Sequence, residues 1–238
     1  MELLRDFALN DPNGFHQFLW ANHLAYAESY EISRFGEDKI ERSRLLLFDD
    51  IETHLRSRGI SPELYVRSVF DFGCSLGYVL HYAEGRFPSA DILRGIDIDR
   101  YAIETGRAHL NEIGSKAKIT VGDAADIDAI LGNQRFDVVL CCGVLAYFNQ
   151  ATAESIARTL LSHTNFVLGI ICLAHPEVEN AALIGSDIRP TDHAFIHNID
   201  ALIQSAGGRV LSRRWMGNEV QNGISPPYLA LVEPILTD

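Results

Sequence analysis

Seven short β-branched runs, separated by longer stretches of helical periodicity, constrain this chain more than any other feature. The runs are SVFDF (68–72), DILRGID (91–97), AKITVG (117–122), FDVVLCC (136–142), NFVLGIICL (165–173), RVLSRRW (209–215) and YLALVE (228–233). Between them, Ile103, Gly106, Leu110 and Ile113 share one helical face. Ala153, Ile156, Ala157, Leu160 and Leu161 share a second, and Ile199, Leu202, Ile203 and Ala206 a third. Strand–helix–strand alternation of this length builds a parallel sheet through right-handed crossovers, with helices on both faces. The last two runs break the rule. Only a turn-rich stretch with Gly217, Gly223 and Pro226-Pro227 separates Trp215 from Tyr228, too short for a helical crossover. The final pair is therefore predicted antiparallel, giving an α/β sheet of seven strands, mostly parallel, with one reversed.

The region before the first strand carries two helical patterns. Ile40, Leu47, Phe48, Ile51 and Leu55 form one stripe, and the aromatic-rich FHQFLWANHLAYAESYEISRF precedes it. These predict an N-terminal helical cap over residues 1–64, packed on or lidding the C-terminal edge of a sheet domain over 65–238. Trp20, Tyr26, Tyr30 and Phe35 are its candidate lid aromatics; ordinary helix packing explains them equally well.

At 238 residues, the length fits one large domain. Lys+Arg total 20 against Asp+Glu 32, a net charge of −12. Such an anionic chain, without a strong basic cluster, is a poor partner for nucleic acid. The apolar runs fall well short of a membrane span, and MELLRDFALNDPNGF is unlike a signal peptide, so a cytoplasmic protein is expected. Cys74, Cys141, Cys142 and Cys172 lie in or beside apolar segments without a C-x-x-C pair, and read as small buried side chains.

Ligands of open α/β sheets bind beyond the carboxyl ends of the strands. After the first strand comes Asp71-Phe72-Gly73-Cys74-Ser75-Leu76-Gly77. Gly73 and Gly77 allow a tight turn and close approach of a ligand. Asp71 disfavours a pyrophosphate and favours a ligand ammonium. Asp97, in Gly95-Ile96-Asp97-Ile98-Asp99, suits the two hydroxyls of a ribose, while Asp99 reads as a cap for the next helix. Asp123, in Gly122-Asp123-Ala124, can accept from an exocyclic amine. Cys142-Gly143-Val144-Leu145-Ala146-Tyr147-Phe148 gives a small-residue floor followed by an aromatic pair.

In this order and spacing, DFGCSLG, GIDID, VGDAAD and FDVVLCCGVLAYF resemble the class I S-adenosylmethionine-dependent methyltransferases, which have a Rossmann-like fold. The motifs span roughly residues 65–170, and the strand pattern continues to about 233. The resemblance implies S-adenosyl-L-methionine as cofactor and a small-molecule acceptor, methylated at N or O. It assigns Gly73, Cys74 and Gly77 to the methionine moiety with Asp71 near its ammonium, Asp97 to the ribose and Ile98 to the adenine face. Asp123 and Ala124 fall at the adenine amine, and Cys142 and Gly143 beside the methyl group. Ser75 stands where many members have Gly. Ala146 stands where small-molecule members often carry His, which leaves the acceptor chemistry open. A methyltransferase-like binding protein without catalysis stays an alternative. An NAD-type oxidoreductase is disfavoured by Asp71 and the missing third glycine.

For an O-acceptor needing a base, His175, then His193 and His197, are the candidates, because Ala174–Phe195 and the Met216–Pro226 hairpin are predicted to overhang the methyl donor. Each could equally cap or solvate its loop. Ser225-Pro226-Pro227-Tyr228 resembles a nucleic-acid amino-methyltransferase signature, but it follows the wrong strand and reads as turn chemistry. No metal site is predicted, since no C-x-x-C or H-x-x-x-H pairing occurs.

Overall fold

The computed structural model describes residues 2–25, 31–217 and 226–235. Its central sheet has seven strands: β1 (Ser68–Phe72), β2 (Ile92–Asp97), β3 (Lys118–Val121), β4 (Phe136–Cys142), β5 (Thr164–Leu173), β6 (Gly208–Trp215) and β7 (Pro227–Pro234). All seven coincide with the runs read from the sequence to within two residues at either end. The order across the sheet is β3-β2-β1-β4-β5-β7-β6. Strands β1 to β5 pair in parallel, and β7 runs antiparallel to both β5 and β6. The reversed strand is thus β7, inserted between β5 and β6, as the short turn-rich connection requires.

Alternation along the strands sends side chains to two separate cores. Val69, Val138, Leu140, Val167 and Ile171 face one layer, with helices α3 (Arg42–Ser57), α5 (Tyr78–Arg86) and α6 (Arg100–Glu112). Phe70, Phe72, Val139, Cys141, Leu168 and Ile170 face the other, with α7 (Ile127–Leu131), α8 (Gln150–Ser162) and α9 (Ile199–Ser205). Asp71 alternates with Phe70 and Phe72 and so lies in the α3 layer.

The N-terminal segment divides into two parts. Helix α3 buries Leu47, Phe48, Ile51 and Leu55, the predicted stripe, against the sheet face. It crosses β5 so closely that a Cβ on Gly169 would lie 3.0 Å from Leu47. Only its first turn reaches the C-terminal edge. Helices α1 (Glu2–Asn10) and α2 (Pro12–Ala21) pack together, and α2 sits against the Leu145–Tyr147 turn beyond β4. Asp11 caps α2 by accepting from the Gly14 amide at 2.9 Å, with Pro12 fitted at the first position. The short helix α4 (Pro62–Tyr65) leads into β1. Tyr26 and Tyr30 of the predicted lid, and residues 218–225 of the hairpin with Ser225, lie outside the described residues.

The segment after β5 folds around a buried amide. Asn180 accepts from the His175 amide at 2.9 Å and donates to the Leu173 and His197 carbonyls, each at 2.9 Å. A two-residue ribbon, Asp187–Ile188 with Phe195–Ile196, closes the excursion. Among the described residues, no helix is long and apolar enough to cross a membrane, and no group of three or more His, Cys, Asp or Glu side chains could hold a metal ion.

The turn after β1 is backed by α6 at the distance of backbone contact. A Cβ on Gly106 would fall 2.1 Å from the Leu76 carbonyl oxygen. Gly106→Ala must therefore push helix and turn apart, and is expected to destabilise the fold by about 1–3 kcal/mol or more, the range for overpacking. Urea unfolding measures it; an unchanged midpoint contradicts the close packing.

Candidate functional site

The sheet adds strands outward from β1 in one direction through β2 and β3, and in the other through β4 and β5. At that reversal the connections leaving β1 and β4 turn to opposite faces, and a crevice opens beyond the strand ends. A cavity of about 990 Å³, measured out to its open mouth, occupies it. Of the residues expected to hold a cofactor, Gly73, Asp97, Ile98, Asp123, Ala124, Cys142 and Gly143 line this cavity. They reach it from four different strand ends.

The turn after β1 starts with Gly73 at φ +76°, where a Cβ would strike Val144 Cγ2 at 2.1 Å. Its amide and that of Cys74 both donate to the Ile96 carbonyl, at 2.9 and 3.0 Å. Ser75 adopts φ +48°, a conformation rare for residues with a side chain, and is held there by its amide donating to Asp97 Oδ2 at 2.8 Å. Asp97 Oδ1 accepts from the Asp99 amide at 2.9 Å. Asp97 is therefore a buttress of the turn as well as a wall of the cavity. Burial raises its carboxyl above the ordinary value, against the backbone bonds that lower it. Across the same turn, Asp99 caps α6 by accepting from Ala102 at 3.0 Å, and its second oxygen lies 2.9 Å from His23 Nδ1.

Asp71, Cys74 and Gly77 do not line the cavity. Asp71 is mid-register in the sheet, opposite Gly95 and Leu140, and buried with no partner at Oδ1. Burial pushes its carboxyl up to about 7, with Arg44 opposing and Asp97 adding. The Cys74 side chain points into the core against Gly95, because the turn rolls it away from the edge. Gly77 begins α5 at φ +83°, with Ile119 and Leu110 each 3.0 Å from where a Cβ would stand. Its role in this structure is to let α5 start against α6 and β3.

Opposite the turn, the Gly143 amide donates to the Ile171 carbonyl at 2.7 Å; Gly143 has φ +83° and open space where a Cβ would be. The Cys142 thiol lines the cavity but is pushed up to about 12 by burial, with Asp71 adding, so it is a neutral wall and not a nucleophile at physiological pH. Asp123 accepts from the Ala125 amide at 3.0 Å and from Gln17 Nε2 at 3.5 Å, which brings α2 onto the cavity. Trp20 joins it, its ring 5.0 Å from that of Tyr147.

None of the three candidate bases lines the cavity. His175 Nδ1 accepts from the Glu177 and Val178 amides, both at 3.2 Å, and its Nε2 is 3.5 Å from Asp187. His193 turns the ribbon at φ +61°. His197 is buried, donating from Nε2 to the Leu145 carbonyl at 2.9 Å while Nδ1 accepts from Ser186 at 2.6 Å. Burial holds it below its ordinary pKa, hence neutral. The excursion after β5 folds back onto the Leu145–Tyr147 turn instead of overhanging the strand ends, and His197 braces that turn from behind.

The wall residues that motif reading did not supply are Gln17, Arg34, Glu41 and Arg44 from the N-terminal segment, with Tyr78 from the first turn of α5. Ser75, Val144, Tyr147 and Phe148 lie within motifs already recognised. The one advance signal for the N-terminal group was the aromatic richness around Trp20. Spacing along the chain contains nothing that brings Arg44 to the end of β1.

A family model described as a methyltransferase domain matches residues 69–165. Ribosomal RNA small subunit methyltransferase C of Pseudomonas syringae pv. tomato is 27% identical over 109 residues, which is 44% of this chain and 30% of that protein. This chain thus matches less than a third of that relative's length. The structure of a SAM-dependent methyltransferase from Leishmania major superposes with a TM-score of 0.66 at 10% identity, covering 95% of this chain and 85% of that one. Magnesium protoporphyrin IX methyltransferase from Synechocystis PCC 6803, solved with bound SAH, gives a TM-score of 0.60 at 16% identity, covering 98% and 99%. The two structures share the fold, four strand-end motifs stand in register on one cavity, and the family model covers β1 to the start of β5: residues 69–165 of this chain match a methyltransferase domain, within a fold shared with S-adenosylmethionine-dependent methyltransferases.

Proposed function

We propose that this cavity binds S-adenosyl-L-methionine and that the protein transfers the methyl group to a nitrogen or oxygen of a small molecule. The observation that carries the reading is the convergence of Gly73, Asp97, Asp123 and Gly143 on one cavity from four strand ends. The residues fit the cofactor. Gly143 leaves backbone open to a closely approaching ligand, Gly73 lets the turn pass against Val144 at the cavity wall, Asp97 and Asp123 present carboxylates for hydroxyl and amine donors, and Ile98 and Ala124 supply apolar surface.

When bound, the cofactor supplies an electrophilic methyl group for in-line displacement. What the chain contributes is alignment and exclusion of water. The Gly73–Ser75 turn fixes one side, through its bonds to Ile96 and Asp97. Tyr147, Phe148 and Trp20 form the aromatic side, and α2 is tied down through Gln17 to Asp123 and Asn13 Oδ1 to the Asn149 amide at 3.1 Å. With no histidine among the described residues that line the cavity, the reading relies on positioning and not on a histidine base.

A small acceptor fits better than RNA. The net charge is −12, and Arg56, Arg86, Arg209, Arg213 and Arg214 each form ion pairs with Asp or Glu of this chain. Phosphates would have to displace those carboxylates. The ribosomal RNA relative is the counter-example that makes this worth testing.

S-adenosylhomocysteine is expected to raise the melting temperature in a concentration-dependent way, and NAD is not, because only a ligand of the native state stabilises it. Stabilisation by NAD alone overturns the reading. Asp97→Ala is expected to weaken S-adenosylhomocysteine by about 1.5–3 kcal/mol through loss of a charged acceptor. It is also expected to lower fold stability, since the Ser75 and Asp99 amides lose their partner. Calorimetry showing unaltered affinity in the folded variant removes Asp97 from the site.

Asp71 gives a pH dependence of definite sign. Its native value of about 7 lies above the ordinary 3.8, so between those values the native state binds more protons than the unfolded chain. The ligand-free protein therefore loses stability from this group as pH rises towards 7, with a slope of at most about 1.4 kcal/mol per pH unit. Urea titrations from pH 5 to 8 are expected to show that slope in the wild type minus Asp71→Asn difference; parallel curves contradict it.

A further inference from the structure

We infer that Gln17 sets the specificity of the cavity at the exocyclic amine of the adenine, by closing off a second chamber beyond it; the inference rests on the S-adenosylmethionine reading above. A cavity of about 480 Å³, measured out to its own open mouth, adjoins the first. The two have four wall residues in common: Gln17, Asp123, Ala124 and Phe148. Helix α2 contributes Asn13 and Gln17 to the second chamber, one helical turn apart. Helix α8 contributes Thr152, Ser155, Ile156 and Thr159, whose spacing puts them on one helical face. No strand-end motif predicts this chamber, because it exists only where α2 docks beside α8.

Three of the four shared residues cannot move aside. Asp123 Oδ1 accepts from the Ala125 amide at 3.0 Å, Phe148 is buried in the core layer of α8, and Ala124 has no side chain to swing. Gln17 is different. It is half-buried, it reaches across from α2, and its Nε2 stands 3.5 Å from each Asp123 oxygen. That distance is the outer limit of a hydrogen bond, so the contact places the amide without contributing much to stability. Helix α2 has other attachments: Asn13 Oδ1 accepts from the Asn149 amide at 3.1 Å, and the Trp20 ring packs 5.0 Å from that of Tyr147. An unsubstituted amine needs only the Asp123 carboxylate. A group carried on that nitrogen has to pass between Gln17 and Asp123, where it meets the Gln17 amide. Selectivity of this kind comes from an obstacle to the wrong ligand, with no added attraction for the right one. Behind the obstacle, Phe148 and Ile156 offer apolar surface to a ring, with the Thr152 and Ser155 side chains beside them.

The test is calorimetry on the full chain with S-adenosylhomocysteine and with its derivative benzylated at the exocyclic nitrogen. The wild type is expected to bind the derivative at least about 10-fold more weakly than the parent. Gln17→Ala joins the two chambers. It is expected to bind the derivative about 10-fold or more tighter than the wild type does, and to keep its affinity for S-adenosylhomocysteine within about threefold. That retained affinity shows that the variant is folded. Ser155 is exposed on the α8 side of the chamber, so Ser155→Trp can refill the space without disturbing the core. Combined with Gln17→Ala, it is expected to reverse the gain for the derivative and to leave S-adenosylhomocysteine unaltered. Weaker discrimination by the wild type, no gain in Gln17→Ala, or a gain that survives Ser155→Trp overturns the inference. Equal weakening of both ligands by Gln17→Ala also overturns it, since Gln17 then grips the base and does not gate it. A folded wild-type chain that binds neither ligand refutes instead the S-adenosylmethionine reading beneath it.

Discussion

The reversal of strand order at β1 is the constraint from which the site follows. Strands β2 and β3 are added on one side of β1 and β4 and β5 on the other, all parallel. Right-handed crossovers then send α5 and α6 to one face and α7 and α8 to the other. The polypeptide leaving β1 and that leaving β4 must diverge, and no side chain of the sheet fills the space between them. Gly73 and Gly143, both at positive φ, form the two lips of that gap.

The gap has a defined floor because neighbouring turns share acceptors. The Ile96 carbonyl takes the Gly73 and Cys74 amides, and the Asp97 carboxylate takes those of Ser75 and Asp99. The turn after β1 is thus fastened to the end of β2 at three points, through the Gly73, Cys74 and Ser75 amides. Ser75 shows what this fastening does: a residue with a Cβ is kept at φ +48° because its amide has an acceptor there. Asp97 cannot be described as a ligand group alone, and the stability of the turn and its readiness for a ligand are one property.

The N-terminal segment completes the cavity by two different physical routes. Helix α3 is held by apolar burial on the sheet face, and its first turn carries Arg44 to the strand ends as a consequence. Helix α2 is held by polar and aromatic contacts to the edge itself: Gln17 to Asp123, His23 beyond its end to Asp99, and Trp20 and His16 to Tyr147. The first route makes a rigid wall. The second consists of contacts to Asp123 and Tyr147, which line the cavity, and to Asp99 just beyond β2.

The sequence by itself determined the sheet. Period-two runs with β-branched residues and period-3.6 stripes with glycine stops are local signals, and each strand appeared where its run predicted. Local spacing likewise determined which strand ends carry Gly73, Asp97, Asp123 and Gly143, because a motif following a strand has nowhere else to go. Tertiary structure alone decided the rest. Whether Cys74 faces a ligand or the core depends on how the turn rolls. Whether His175 or His197 reaches the strand ends depends on where Asn180 folds the excursion, seventeen residues from one of its partners. That Arg44 meets Asp71, Tyr78 and Cys142 follows from the docking of α3 over Gly169, a contact between residues more than a hundred positions apart. Side-chain periodicity records which face a helix buries, but it carries no information about which part of the sheet that face will meet.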